Sequence, residues 1–109
     1  MENCIFCQVV RKELPAKFLY EDEEVLAFPD INPVRPVHII IIPAMHVAEL
    51  TAVSNPDLFK KLFSVAQKMV IENGLQDNGY RIVVNGGGAQ IIDHLHVHVM
   101  GPIKKEASL

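Results

Sequence analysis

The sequence predicts a single α+β domain: an antiparallel sheet of about five strands, one long helix and a short N-terminal helix. Three observations predict it. Short β-branched stretches outnumber helical ones and follow one another through tight turns, the order of an antiparallel sheet. Only one long run carries an apolar stripe at helical spacing, wide enough to cover a sheet face. The chain has 109 residues, half of them hydrophobic, which suffices for one core and not for two.

Taken in order, Asn3 is placed to cap a short helix over residues 4–12, with Ile5, Phe6, Val9 and Val10 at apolar positions. Leu14-Pro15 ends it, because a residue before proline is biased away from the helical region. Residues 17–21 and 24–28 read as a hairpin about Asp22-Glu23, and Pro29, Asp30, Asn32, Pro33 and Pro36 make the next segment a fixed loop. Residues 37–42 are apolar on both parities, as in a central strand covered on both faces. His38 and Ile40 share one face of it and Ile39 and Ile41 the other, so His38 is a polar group that must find a partner. A short turn after Pro43 carries His46. Ser54 or Asn55 is expected to cap the long helix, with Pro56 in its first position and Asp57 favouring its dipole. Leu58, Phe59, Leu62, Phe63, Ala66, Met69 and Val70 form its stripe, and Asn73-Gly74 ends it. Residues 80–85 are a strand, Gly86-Gly87-Gly88 a loop and 94–100 the last strand, with a tail over 104–109 expected to fray.

Composition narrows the partners. A net charge of −3 argues against nucleic-acid binding by bulk electrostatics. The longest apolar run, residues 37–45, is broken by His38 and Pro43 and falls short of a membrane span. Met1-Glu2-Asn3 lacks the basic stretch of a secretory signal. Cys4 and Cys7, at C-x-x-C spacing, then read as metal or redox chemistry before a structural disulfide. A thioredoxin-like role is not favoured, because no βαβ pattern follows. The expected location is the cytoplasm.

The last strand carries the chemistry. His94, His96 and His98 alternate with Leu95, Val97 and Val99, so an extended chain puts the three rings on one face, about 6.5–7 Å apart, and the aliphatic residues on the other. Neutral imidazole is a good nucleophile toward phosphorus. His96, flanked on both sides, is the natural attacker, and a neighbouring ring held protonated by phosphate can balance charge or protonate a leaving group. Spacing alone also admits a metal-binding strand or a chance row of surface histidines. The run Asn85-Gly86-Gly87-Gly88-Ala89-Gln90 favours phosphate, since consecutive glycines let backbone N–H groups converge on an anion.

With these residues in view, the chain resembles the histidine triad (HIT) superfamily, and within it the small Hint-like branch. His94-Leu95-His96-Val97-His98-Val99-Met100 matches the family signature. Cys4-Ile5-Phe6-Cys7, Leu26-Ala27-Phe28-Pro29-Asp30-Ile31, Val37 to Pro43, His46 and Tyr80 to Asn85 follow in family order, so the likeness covers nearly the whole chain as one HIT domain, residues 1–109. The resemblance implies a homodimer joined through the long helix and the strand after it. It also implies a nucleotidyl hydrolase or transferase that acts on the α-phosphate of a purine nucleotide, such as a nucleoside phosphoramidate, and releases AMP or a similar monophosphate. His96 would form the covalent nucleotidyl intermediate. His38, His98 and Asn85 would touch the phosphate, with Gln90 and the backbone near Ala89 shaping its loop. Ile5, Phe6, Phe28, Ile31 and Ile40 would line a purine pocket, and Asp30 would accept from the ribose hydroxyls. Without the resemblance, Phe28 and Ile40 read as plain core and Asp30 as a turn residue.

The resemblance further implies a structural zinc on Cys4, Cys7, His46 and His94; the alternative is two reduced cysteines on an amphipathic helix and an exposed His46. No catalytic metal is required. A catalytic metal on the triad itself is the weakest reading, because no carboxylate completes such a site: Asp93 would face away from the histidines. The chain departs from the family at Ile91, where Ser or Thr is common, and in a shortened glycine loop with Ala89 at a frequent glycine position. A positive φ there would strain alanine. These departures bear on the leaving group and motivate a rival function, a nucleotide-binding or protein-interaction module with negligible turnover.

Overall fold

The computed structural model describes residues 3–105. In chain order they form α1 (Ile5–Val10), β1 (Tyr20–Glu21), β2 (Val25–Pro29), β3 (Val37–Pro43), a 3-10 turn (Leu50–Ala52), α2 (Asp57–Glu72), β4 (Arg81–Val84) and β5 (Val97–Gly101). The five strands make one antiparallel sheet in the order β1-β2-β3-β5-β4. The predicted α+β class holds, with five strands, one long helix and one short one.

β3 is the middle of the sheet, and its two parities build two cores. Ile39 and Ile41 join Val25, Ala27, Val97 and Val99 under Leu62, Val65, Ala66, Met69 and Val70 of α2. Ile40 and Ile42 join Leu26 and Phe28 on the opposite face, under Phe6 and Val9 of α1. At roughly 1.5–3 kcal/mol for each fully buried aliphatic side chain, burial of β3 on both faces is the largest single reason the sheet forms around it.

Local chemistry differs from expectation at four places. α1 is capped by Cys4, whose Sγ accepts the Cys7 N–H, and not by Asn3. The long helix begins at Asp57, with Pro56 just outside it and Asn55 Oδ1 accepting the Asp57 N–H at 3.0 Å. Val65 takes a buried place on α2 while Phe63 stays half exposed, because the apolar stripe is wider than the face the sheet covers. The last strand starts at Val97, three residues late. Its pairing with β3 stops at Ile41 opposite Val97, since the next hydrogen-bonding step would need an N–H from Pro43, which has none. The chain there turns to other partners: His94 N–H donates to Ile92 O at 2.8 Å and Leu95 N–H to Val47 O at 2.6 Å.

Gly87 and Gly88 carry the positive φ values of the glycine loop, 64° and 100°, while Ala89 does not, so alanine there is unstrained. Lys104 and Lys105 lie outside regular structure, and the frayed tail expected over 106–109 falls outside the described residues. Among the described residues no helix is long and apolar enough to cross a membrane.

Candidate active site

His38 on β3 and His98 on β5 sit on the same sheet face two residues apart in register, with Met100 opposite His38 and Ile40 opposite His98. Their rings meet, His38 Nε2 lying 2.9 Å from His98 Nδ1. His96 completes the row, its ring centroid 4.9 Å from that of His98 and 5.1 Å from that of Phe6. The rings are closer than the extended-strand expectation, and of the three triad histidines only His98 lies within β5.

Backbone groups settle which nitrogen of each ring carries a proton. His96 Nδ1 lies 2.8 Å from His94 O, and a carbonyl only accepts, so Nδ1–H donates and the Nε2 lone pair is left free. The Val34 N–H donates to His38 Nδ1 at 3.2 Å, so the proton of neutral His38 is on Nε2 and points to His98 Nδ1. His98 then presents Nε2–H. The face therefore offers one nucleophilic nitrogen beside one donor. Burial, with His96 and His38 adding to it and Asp30 opposing, holds His98 down to about 4, so it is neutral at pH 7. His38, the polar group in the central strand, has its partners in Val34, His98 and Asp30 Oδ2 at 3.4 Å.

That carboxylate corrects one expectation. A carboxylate does approach the triad face, and it is Asp30: Asp30, His38 and His98 could in outline hold a metal ion. The donor set opposes it. His38 Nδ1 is committed to the Val34 N–H, so Nε2 must keep its proton and cannot serve as a ligand without breaking that bond.

The second cluster has the opposite chemistry. Cys4, Cys7, His46 and His94 come together, their ligand atoms all within 4.8 Å of one another. Cys4 Sγ and Cys7 Sγ stand 3.3 and 3.5 Å from His94 Nδ1, and Cys7 Sγ is 3.3 Å from His46 Nδ1. A tetrahedral zinc with two thiolates and two imidazoles separates S from N by about 3.5 Å, so the donors fit with little movement. His94 Nε2 lies 2.9 Å from Pro43 O, so that nitrogen carries the proton and Nδ1 offers its lone pair to the cluster. Burial, more than the neighbouring His46 and His96, pushes the His94 pKa down and so favours the neutral ligand form. Burial and then Cys4 push the Cys7 thiol up, the cost that a bound cation would remove. His94 thus joins both sites: its ring faces the cysteines and its carbonyl orients His96.

The glycine loop differs most from expectation. Its amides do not converge on an open cradle but are held within the chain. Gly87 N–H donates to Glu49 Oε1 at 3.1 Å, Gly88 N–H to Gln90 Oε1 at 2.9 Å, and Ala89 N–H to Gly86 O at 3.1 Å. Gln90 Nε2 in turn donates to Asp93 Oδ1 at 3.1 Å. Asn85 is half-buried where β4 enters this loop.

Of the expected purine-pocket residues, Phe6, Phe28 and Ile40 share one buried cluster, with Phe6 and Phe28 rings edge-to-face at 5.9 Å. Ile5 and Ile31 lie outside it, half and almost fully exposed. Ile5 instead lines a cleft of about 770 Å³ with Ile91, Ile92, Asp93, Cys4 and His46, beside the cysteine–histidine cluster. Asp30 is half-buried at the end of β2, its Oδ1 accepting the Asn32 N–H at 2.8 Å. Glu49 and the carbonyls of His94 and Pro43 were beyond sequence reasoning: a lone glutamate between strand and helix carries no motif, and carbonyls have no sequence signal.

Comparison with known proteins completes the description. The pattern of the HIT domain matches residues 11–105. A maize protein named 14 kDa zinc-binding protein is 42% identical over 104 residues, covering 89% of this chain and 80% of that one. A solved structure of a HIT family hydrolase from Clostridium thermocellum superposes with a TM-score of 0.94 at 37% identity, covering 100% of this chain and 98% of the other. A zinc-bound histidine triad family protein from Mycobacterium smegmatis gives 0.83 at 32% identity over 97% of this chain and 79% of its own.

Proposed function

The chain belongs to the HIT domain family, and from that premise we propose that it is a purine nucleotidyl hydrolase working through a covalent nucleotidyl-His96. The observation that carries the proposal is the His96 Nδ1–H donated to the His94 carbonyl, which leaves Nε2 unprotonated and aimed away from the backbone. In the first step Nε2 attacks the α-phosphorus of a nucleoside phosphoramidate. A P–N bond to His96 forms as the bond to the leaving amine breaks; the amine departs with a proton from solvent, and His98 Nε2–H stays hydrogen-bonded to a phosphoryl oxygen. Water then attacks the same phosphorus and gives its proton to solvent as the P–His96 bond breaks, releasing the nucleoside monophosphate. His38 orients His98, its Nε2–H donating to His98 Nδ1 while the Val34 N–H holds His38 Nδ1. Asp30 would accept from the ribose hydroxyls, with Phe6, Phe28 and Ile40 behind the base.

His96→Gly should lower AMP release from an adenosine phosphoramidate by on the order of 10³-fold or more, with AMP binding retained. Steady turnover by that variant would sink the covalent mechanism. Zinc on Cys4, Cys7, His46 and His94 would fasten α1 to the His94 segment and take no part in the bond changes; the fitting donor geometry supports it, as does the zinc in the relatives' names. A homodimer is supported by the half-exposed Phe63, Ile71 and Tyr80 on α2 and beside the open edge of β4. A reducing compartment such as the cytoplasm suits two cysteines kept as thiols. A binding module with negligible turnover is the second reading, favoured by Ile91, 97% exposed and without a hydroxyl. AMP binding with no release from any nucleotidyl substrate would select it.

A further inference from the structure

We propose that Glu49 is the positioning residue that fixes the glycine loop in one conformation, acting through the Gly87 amide and not by touching substrate. Three successive glycines have more backbone freedom to lose than any other tripeptide, so something outside them must hold one conformation. Two side chains do so. Gln90 reaches back to the Gly88 N–H and anchors itself on Asp93, close to the histidines. Glu49 reaches across from a different part of the chain. Its Oε1 accepts the Gly87 N–H, and its Oε2 accepts the N–H and hydroxyl of Thr51, which fixes the carboxylate at the start of the 3-10 turn.

The fit is specific to glycine. A Cβ on Gly86 would lie 2.9 Å from Glu49 Oε1 and push the carboxylate from this position. Gly87, at φ 64°, aims its amide at that oxygen from a conformation that L side chains rarely adopt. The hydrogen bonds from Thr51 and Gly87 also favour the ionised carboxylate and lower its pKa. Glu49 lies two residues beyond Val47, whose carbonyl takes the Leu95 N–H. One short segment therefore braces the backbone between His94 and His96 and also holds the glycine loop, which keeps loop and nucleophile in a fixed relation.

The proposal rests on the nucleotide reading only for its second readout. The first is independent of ligand: in the 15N spectrum of the ligand-free protein, Glu49→Ala should move the Gly87 amide resonance and speed its hydrogen exchange by at least tenfold, with α2 amides unchanged. The second compares ligands. Glu49→Ala should weaken AMP binding on the order of tenfold, as expected for loss of a charge-assisted hydrogen bond, and leave adenosine binding within about twofold. Glu49→Gln, which keeps an acceptor for Gly87, should recover most of the difference. An unchanged Gly87 amide overturns the proposal. So does equal weakening of AMP and adenosine, the mark of general unfolding, or tighter AMP binding, which would make the carboxylate a competitor of phosphate. A wild-type protein that binds neither ligand would overturn the nucleotide reading, while the Gly87 readout still decides the role of Glu49 in the loop.

Discussion

Replacing Phe6 should test how the two sites are held together. α1 has six residues, too few to persist alone, because a helix of fewer than about 12 residues barely recovers its nucleation cost in water. It stays in place because Phe6 and Val9 are buried against the sheet. Phe6 is 7% exposed and meets three rings edge-on: Phe28 at 5.9 Å, His94 at 5.8 Å and His96 at 5.1 Å. Truncation to alanine removes that burial and leaves a cavity between α1 and the histidines, at a cost of about 3–5 kcal/mol. For a domain of this length that lowers Tm by about 12–20 °C. Phe6→Leu keeps most of the apolar bulk, loses the edge contacts, and should cost about 1–2 kcal/mol. Urea unfolding of metal-free protein measures both. Because Cys4 and Cys7 travel with α1, zinc affinity should fall in the same order, alanine below leucine. A metal-free Phe6→Ala protein that unfolds within about 1 kcal/mol of wild type, with unchanged zinc affinity, would refute the argument that this ring docks the helix.

Other outcomes follow from single contacts. The double variant Cys4→Ser, Cys7→Ser should lose bound zinc, and metal analysis that still finds one equivalent would shift the site elsewhere. His98 is held below its ordinary pKa, so the unfolded chain binds its proton more readily. Stability should therefore decline as pH falls from about 6.5 to about 4, and His98→Asn should flatten that decline in urea midpoints; an equal slope would remove His98 as its cause. A Cβ on Gly79, at φ 81°, would stand 1.8 Å from Ile103 O, whereas on Gly74, at φ 71°, it would meet nothing within 4 Å. Gly79→Ala should thus cost several kcal/mol and Gly74→Ala about 1 kcal/mol, and calorimetry showing equal losses would contradict the close approach.

Much was readable before any coordinates, for reasons that can be traced to particular residues. The apolar residues on both parities of β3 and the helical stripe of α2 dictate a covered sheet, because each must bury area that nothing else in the chain can cover. The alternation from His94 to Val99 dictates that aliphatic and imidazole side chains part to opposite faces, and they do, even though His94 and His96 precede the strand. What tertiary structure alone decided is the chemistry within each ring. Which imidazole nitrogen is nucleophile, donor or ligand depends on the carbonyls of His94 and Pro43 and the amide of Val34, and those groups are common to every residue type except for the N–H that proline lacks. The placement of β5 between β3 and β4, the Asp30 carboxylate beside His38 and the Glu49 carboxylate beneath Gly87 have the same origin. Periodicity reports the face a side chain occupies, since that is a local property of the backbone; the partner it meets there is set by long-range packing, which no local pattern encodes.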